Sequence, residues 1–251
     1  MSTAPKLFAF DLDDTLAPSK SPLEPRMVAA LSSLLRHVPV AIISGGAFGQ
    51  FRTQVVDRLT SLDSEMLGRL HLLPTCGTQY YVHRADGWQR VYAETLTPEQ
   101  ISAAWTALEE EARRLGLWES HTWGPILEDR GSQVTFSALG QSAPVDAKAA
   151  WDPDGSKKAA LRDAAASRLP DLEVRSGGST SVDVTRRGID KAYGMRRLVD
   201  ITGIAAGDVM FVGDRLDEGG NDFPVIATGV RTHAVTGWEE TAAFLEGLCL
   251  A

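Results

Sequence analysis

Three aspartates, Asp11, Asp13 and Asp14, fall within four residues, directly after the apolar run of Leu7, Phe8, Ala9 and Phe10. A short apolar run bounded by polar residues reads as a buried strand, so these carboxylates crowd at a strand end. A plain surface turn needs one Asp or Asn there. Like charges this close repel unless a cation or a shared proton relieves them. Asp214 ends a second buried run, VMFVG at 209 to 213. Parallel strands in an open sheet bring their carboxyl ends together, and ligands bind at that edge. Asp11, Asp13 and Asp214 converging there make an oxygen donor set suited to Mg2+. Ser44 ends a third apolar run, 40 to 44, just before Gly45-Gly46, where backbone N–H groups at a helix start can receive a phosphate. Lys191, near the start of a predicted helix, brings an ammonium to the same edge as a point charge. Metal, hydroxyl and ammonium around a carboxylate are the working parts of phosphoryl transfer.

Singly, each part has a plainer reading. Ser44-Gly45 is a helix-starting turn, Lys191 a solvated lysine, Asp214-Arg215 a strand-ending turn, and GGND at 219 to 222 a surface loop. All four occur in order, each at an element boundary, and together they favour the chemical reading.

The elements that must position these groups follow from periodicity. Pro22 and Pro25 bracket the start of a helix carrying Met27, Ala30, Leu31, Leu34 and Leu35. LHLLPTCG, 70 to 77, reads as a third strand, and Gly45-Gly46 as the opening of another helix. Continuous apolar strands separated by helices predict a parallel sheet covered on both faces. The middle differs. YYVHRADGWQRVY, 80 to 92, holds an Asp86-Gly87 hairpin signal. Thr97-Pro98-Glu99-Gln100 is a capping box opening a helix whose stripe would be Ile101, Trp105, Leu108, Ala112 and Leu115. SQVTFSAL (132 to 139) and STSVDV (179 to 184) alternate polar and apolar residues, as half-buried antiparallel strands do. A helix over 189 to 199, the strand VMFVG and a last strand VIATG (225 to 229) then return to the first style. The expected fold is α/β: a doubly wound, mostly parallel, Rossmann-like core of residues 1 to 82 and 187 to 251, with an α+β cap of 83 to 186 inserted.

Composition narrows the class of function. The chain has 251 residues, 43% hydrophobic and 23% charged, with formal charge -8 and pI near 5.2. That balance argues against nucleic acid or an anionic membrane as partner, since both need a basic footprint. Cys76 and Cys249 form neither a metal-ligand spacing nor a disulfide framework. MSTAPK lacks the apolar core of a signal peptide, and no run of 18 apolar residues follows, so a cytoplasmic enzyme is the expectation.

DLDDTL, Ser44, Lys191 and GDRLDEGGND together resemble the haloacid dehalogenase-like phosphohydrolase superfamily over nearly the whole chain. The resemblance implies that Asp11 is the nucleophile, becoming an aspartyl-phosphate, and Asp13 the general acid and base. It implies Mg2+ held by Asp11, Asp214 and the backbone carbonyl of Asp13, and the phosphoryl group held by Ser44 and Lys191. Asn221 and Asp222 would support the metal's surroundings or the lysine. Asp14 sits where relatives often carry Gly.

A closer resemblance is to eukaryotic-type phosphomannomutases, through GDRLDEGGND, RGSQVTFSALG (130 to 140) and GGSTSVDVTRRGIDK (177 to 191). It carries over Arg130, Ser181 and Asp183 as cap contacts to a sugar or its phosphate. Where that family places further arginines, this chain has Gln141, Lys148 and Lys20. Lys is a poorer bidentate phosphate binder than Arg, and Gln carries no charge. The first expectation is therefore a Mg2+-dependent phosphatase of a small phosphorylated metabolite, a sugar phosphate. A phosphohexose mutase comes second, and a catalytically dead binding module third.

Overall fold

The computed structural model describes residues 4 to 248, so Cys249 lies outside the described residues. Eleven strands run in chain order among the described residues: β1 (Leu7–Phe10), β2 (Val40–Ile43), β3 (Leu70–Leu73), β4 (Gln79–Arg84), β5 (Gly87–Ala93), β6 (Leu127–Asp129), β7 (Gln133–Ser137), β8 (Leu172–Ser176), β9 (Ser181–Arg186), β10 (Val209–Gly213) and β11 (Arg231–Ala234). The chain divides into two compact units, one of residues 1 to 93 and 190 to 251, the other of 94 to 189.

The first unit holds a seven-stranded sheet in the order β11-β10-β1-β2-β3-β4-β5. β1, β2, β3, β10 and β11 pair in parallel, and β4 and β5 extend the edge antiparallel. β1 is central. From it the chain winds outward through β2 and β3 on one side, and later through β10 and β11 on the other. That reversal is a topological switch point, and it lies at the carboxyl ends of β1 and β10.

Both sheet faces are covered, which is why β1 reads as an unbroken apolar run. Phe8 and Phe10 pack with Met27, Leu31 and Leu35 of the helix Pro25–His37 and with Leu245 of the helix Trp238–Glu246. Leu7 and Ala9 point the other way, among Met195 and Leu198 of the helix Lys191–Thr202. Burying both faces of four such strands supplies the core's stability at about 25 cal/mol per Å² of apolar surface.

In the second unit four antiparallel strands take the order β6-β7-β9-β8. Val134, Phe136, Val182 and Val184 face the helices Pro98–Arg114 and Ser156–Arg168. The capping box forms as expected, with Thr97 Oγ1 accepting from the Gln100 N–H and Gln100 Oε1 accepting from the Thr97 N–H.

Several local expectations change. The hairpin of β4 and β5 belongs to the first sheet, because β4 pairs with β3 (Leu72 opposite Tyr81), so the unit boundary moves from 83 to 94. VIATG is not a strand. Pro224 lacks an N–H and opens a 3₁₀ helix, Phe223–Thr228, which Gly229 ends at φ 80°, and β11 follows it. The helix after Ser44 begins at Phe48 rather than at Gly45. Trp105 is 37% exposed, since the buried stripe runs through Ala104, Leu108 and Ala112 at steps of four. The polar residues of β7 (Gln133, Thr135 and Ser137) are buried rather than solvated. They are hydrogen-bonded there: Gln133 Nε2 donates to Thr135 Oγ1, which donates to Asp183 Oδ1.

Helix Lys191–Thr202 lies unusually close to the ends of β2 and β3. A Cβ on Gly77 would stand 2.4 Å from the Gly194 Cα, and one on Gly194 would stand 2.7 Å from the Cys76 carbonyl oxygen. Gly77 also has φ +84°, which costs an L-residue energy even where space exists. Gly77→Ala should therefore destabilise the first unit by about 2–4 kcal/mol, the sum of a left-handed penalty and backbone overpacking. Urea unfolding checks this, with Gly87→Ala (φ +99°, open space) reporting the conformational penalty alone.

Candidate active site

Asp11 follows β1 directly, and its N–H donates to the Val212 carbonyl of β10, which holds the chain in line with its neighbour at the switch point. The side chain is buried. Lys191 Nζ lies 2.6 Å from Asp11 Oδ1 and 2.6 Å from Asp222 Oδ1, and all three side chains are 5% exposed or less. The lysine arrives as the first residue of its helix, capped by Asp190, whose Oδ1 accepts from the Tyr193 N–H. Asp222 is held from behind, its Oδ2 accepting from the Arg215 N–H and its own N–H donating to the Arg215 carbonyl. Gly213 must be glycine here, because a Cβ would stand 2.4 Å from Asp222 Oδ2.

Asp214 ends β10 half-buried, and its Oδ1 accepts from Thr15 Oγ1 at 3.2 Å. Asp11, Asp214 and Asp222 each offer an oxygen, and these oxygens lie within 4.8 Å of one another. Burial raises the Asp11 carboxyl well above its ordinary pKa. Lys191 pulls it down, and Asp222 and Asp214 push it up again. Asp214 is raised by burial and then by Asp222. Burial alone would depress the Lys191 ammonium, but Asp11 and Asp222 outweigh it and hold its pKa above the usual lysine range. Three carboxylates against one ammonium leave two negative charges uncompensated when all are ionised. A hard divalent cation is the group that such a donor set fits.

Asp13 stands in a separate polar cluster. Its Oδ1 accepts from the Lys20 N–H at 2.7 Å and Gln54 Nε2 at 3.2 Å, and its Oδ2 from Gln50 Nε2 at 3.0 Å. Lys20 Nζ lies 3.2 Å from the same Oδ2. Burial would raise this carboxyl, but the Lys20 charge and N–H and the Gln54 amide outweigh it and hold it below the usual range. Asp14 has φ +63°, a conformation that suits glycine and that Asp tolerates better than most residues. Its Oδ1 accepts from the Ser19 N–H, closing the turn.

Ser44 is buried at the end of β2, and its Oγ accepts from the Gly46 N–H at 3.2 Å, so that donor is taken rather than free. The Ser44 carbonyl accepts from the Cys76 N–H, and the Gly46 carbonyl from the Thr75 N–H. Thr75 and Cys76 have φ of 50° and 55°. This turn is bent against its own preference and braced on the Ser44 turn. Asn221 is exposed on the loop before Asp222.

Arg130, Ser181 and Asp183 belong to the second unit. Ser181 and Asp183 share a face of β9, opposite Ser137 and Thr135 of β7. Arg130 precedes β7 and pairs with Glu128 at 2.7 Å. Lys148 is buried, its Nζ donating to the Gln141 carbonyl at 2.9 Å, while Gln141 Nε2 donates to Ser137 Oγ. Thr15, Gln50 and Gln54 are site residues that sequence reasoning passed over. The signal for the glutamines was their spacing of four on the helix Phe48–Gln54, which puts both amides on one face.

The fold and this acidic edge define a member of the haloacid dehalogenase-like superfamily of phosphoryl-transfer enzymes. The fold is shared with a haloacid dehalogenase-like hydrolase from Bacteroides thetaiotaomicron (TM-score 0.62, 18% identity, 96% of this chain and 98% of that one). It is shared too with IMP-nucleotidase of Plasmodium falciparum (TM-score 0.69, 14% identity, 97% of this chain and 68% of that one). Within the superfamily, the family model of eukaryotic phosphomannomutase matches residues 122–250, just over half of the chain, and the chain belongs to that family. A probable phosphomannomutase of Caenorhabditis elegans is 26% identical over 254 residues, 96% of this chain and 94% of that protein.

Lys191→Met would leave Asp11 and Asp222 buried without their cation. Breaking a buried pair this way costs about 3–5 kcal/mol, measured by urea unfolding at neutral pH. The double variant Lys191→Met with Asp222→Asn should recover part of that loss, because one uncompensated charge is gone. Additive losses would show that the three groups are not coupled.

Proposed function

We propose that the protein is a Mg2+-dependent phosphotransferase that moves the phosphoryl group of a hexose phosphate through an aspartyl-phosphate on Asp11. The observation that carries this reading is the buried Asp11 carboxylate, set at a strand end between Lys191 and two further carboxylates. Asp11, Asp214 and the backbone carbonyl of Asp13 would hold the metal, with Asp222 and Asn221 supporting its surroundings. Bound there, the metal would supply positive charge against the transferring phosphoryl oxygens.

A carboxylate oxygen of Asp11 forms a bond to phosphorus as the ester P–O bond breaks. The sugar oxygen leaves with the electron pair of that bond and takes a proton from Asp13, which must first pick that proton up, since its donors keep it ionised at rest. Lys191 and Ser44 steady the phosphoryl oxygens. In the second half an acceptor hydroxyl gives its proton to Asp13 and attacks phosphorus, and the P–O bond to Asp11 breaks. The carboxylate is restored and the atoms balance.

The acceptor decides the reaction. If it is a sugar hydroxyl, the enzyme is a mutase of hexose 1- and 6-phosphates; if it is water, a phosphatase. Membership of the phosphomannomutase family supports the mutase, so the reading placed second on sequence grounds now leads. Arg130, Ser181 and Asp183 supply sugar or distal-phosphate contacts in it. The phosphatase stays in play for one reason. Gln141 and Lys148 replace two expected arginines, and Lys148 Nζ donates to the Gln141 carbonyl.

The deciding assay supplies mannose 1-phosphate or glucose 1-phosphate with and without the matching 1,6-bisphosphate and follows both isomers and free phosphate by 31P NMR. Interconversion with little free phosphate is expected; free phosphate without isomerisation would make the enzyme a phosphatase. In either case Asp11→Asn should abolish turnover, and Asp13→Asn should lower it by about 10²–10⁴-fold. EDTA should silence the wild type and Mg2+ restore it; full activity in chelator would remove the metal from the reading.

A further inference from the structure

Four donors converge on the Asp13 carboxylate: the Lys20 N–H, Lys20 Nζ, Gln50 Nε2 and Gln54 Nε2. A carboxylate offers about four acceptor positions, so Asp13 takes up a proton by giving up one of these contacts. Gln50 is tied at both ends of its amide, with Oε1 accepting from Lys20 Nζ at 3.0 Å and Nε2 donating to Asp13 Oδ2. Lys20 therefore fixes which way round the amide lies, and the amide presents a donor to the carboxylate.

To reach Asp13, the Gln50 side chain crosses Gly46. A Cβ on Gly46 would stand 2.2 Å from Gln50 Oε1 and 2.6 Å from Gln50 Cδ. Gly46 is not among the residues of positive φ, so its backbone conformation makes no demand for glycine. What needs the missing side chain is the passage of Gln50. The same Gly46 N–H donates to Ser44 Oγ, so one residue touches both the Ser44 turn and the Asp13 cluster.

We propose that Gln50 is the positioning residue of Asp13, and that Gly46 is bare so that the Gln50 amide can lie across the Ser44 turn to reach it. The proposal rests on the reading of Asp13 as the acid and base of the reaction. Without Gln50, Asp13 Oδ2 keeps only the Lys20 Nζ contact at 3.2 Å, and the carboxyl is held less firmly on the line along which it passes its proton. With a bulkier residue at 46, the amide is displaced and the same loss follows from a different position.

The test measures kcat and KM for a hexose 1-phosphate with its 1,6-bisphosphate in Gln50→Ala, Gly46→Ala, the double variant and Asp13→Asn. It also measures kcat/KM for p-nitrophenyl phosphate, whose leaving group departs without a proton. Each single variant at 46 or 50 should lose about 10–100-fold in kcat, the rate equivalent of one hydrogen bond to a charged group, with KM changed little. The double variant should be no worse than Gln50→Ala, since both remove one contact. Losses on p-nitrophenyl phosphate should be much smaller, which a general loosening of the site would not produce.

Unchanged kcat in Gln50→Ala, equal losses on both substrates, or additive losses in the double variant would each overturn the proposal. Should Gly46→Ala fail to fold by circular dichroism, the substrate contrast in Gln50→Ala decides alone. Asp13→Asn separates the two levels. If it keeps turnover, the acid–base reading falls; if it is crippled while Gln50→Ala is not, only the positioning role falls.

Discussion

The Lys191 ammonium, buried between Asp11 and Asp222 at 2.6 Å from each, is the contact on which the first unit's functional edge depends. It joins three segments that meet nowhere else in sequence: the end of β1, the first turn of the helix after the second unit, and the loop after β10. Buried ion pairs are poor sources of net stability, because desolvation offsets most of the attraction. Their value lies in geometry. Removing any member leaves a charge without a partner, so the three segments keep one arrangement. Much local backbone serves that arrangement: Gly194 lets the lysine's helix descend onto the strand ends, Gly77 makes room for it, and Gly213 leaves space for Asp222.

Crowding of like charge sets the electrostatics of this edge. Asp11 is dry, pushed toward protonation by burial and by two carboxylate neighbours, and held back from it by one lysine. A carboxylate in that condition is poorly solvated. Asp13, two residues away, has the opposite surroundings: donors on every side and a carboxyl kept below its usual range. Two aspartates of one tripeptide thus receive opposite electrostatics, one raised by burial and one lowered by its donors.

How far the sequence could be read depended on the physics at each position. The parallel core was legible because strands buried on both faces must be apolar throughout, and Leu7–Phe10 and Val40–Ile43 are. Asp11 and Asp214 were legible because charge at the end of such a strand needs a cause. Lys191 was legible only in company, since a lysine in the first turn of a helix ordinarily points to water; its order and place beside the other three motifs singled it out. Apolar content misled at VIATG, where Pro224 decides the local structure against the strand propensity of Val225 and Ile226. The hairpin of β4 and β5 was found, but its sheet was not, because pairing with β3 is a long-range choice that no local signal records. Buried polar rows such as Gln133, Thr135 and Ser137 look like solvated faces in sequence, and their hydrogen bonds run to residues nearly 50 positions away, as from Thr135 to Asp183.

Two of the three departures from the phosphomannomutase pattern exchange a forked guanidinium for a point charge, and the structure shows what a point charge does there. An ammonium makes three bonds from one atom, so Lys20 Nζ can touch Asp13 Oδ2 and Gln50 Oε1 together at 3.2 and 3.0 Å. Lys148 Nζ turns in to the Gln141 carbonyl, and the Gln141 amide turns to Ser137. In each place the cation is turned to holding the protein's own polar groups. Charge committed to internal neighbours is less available to a second phosphate, while the groups it holds become better fixed.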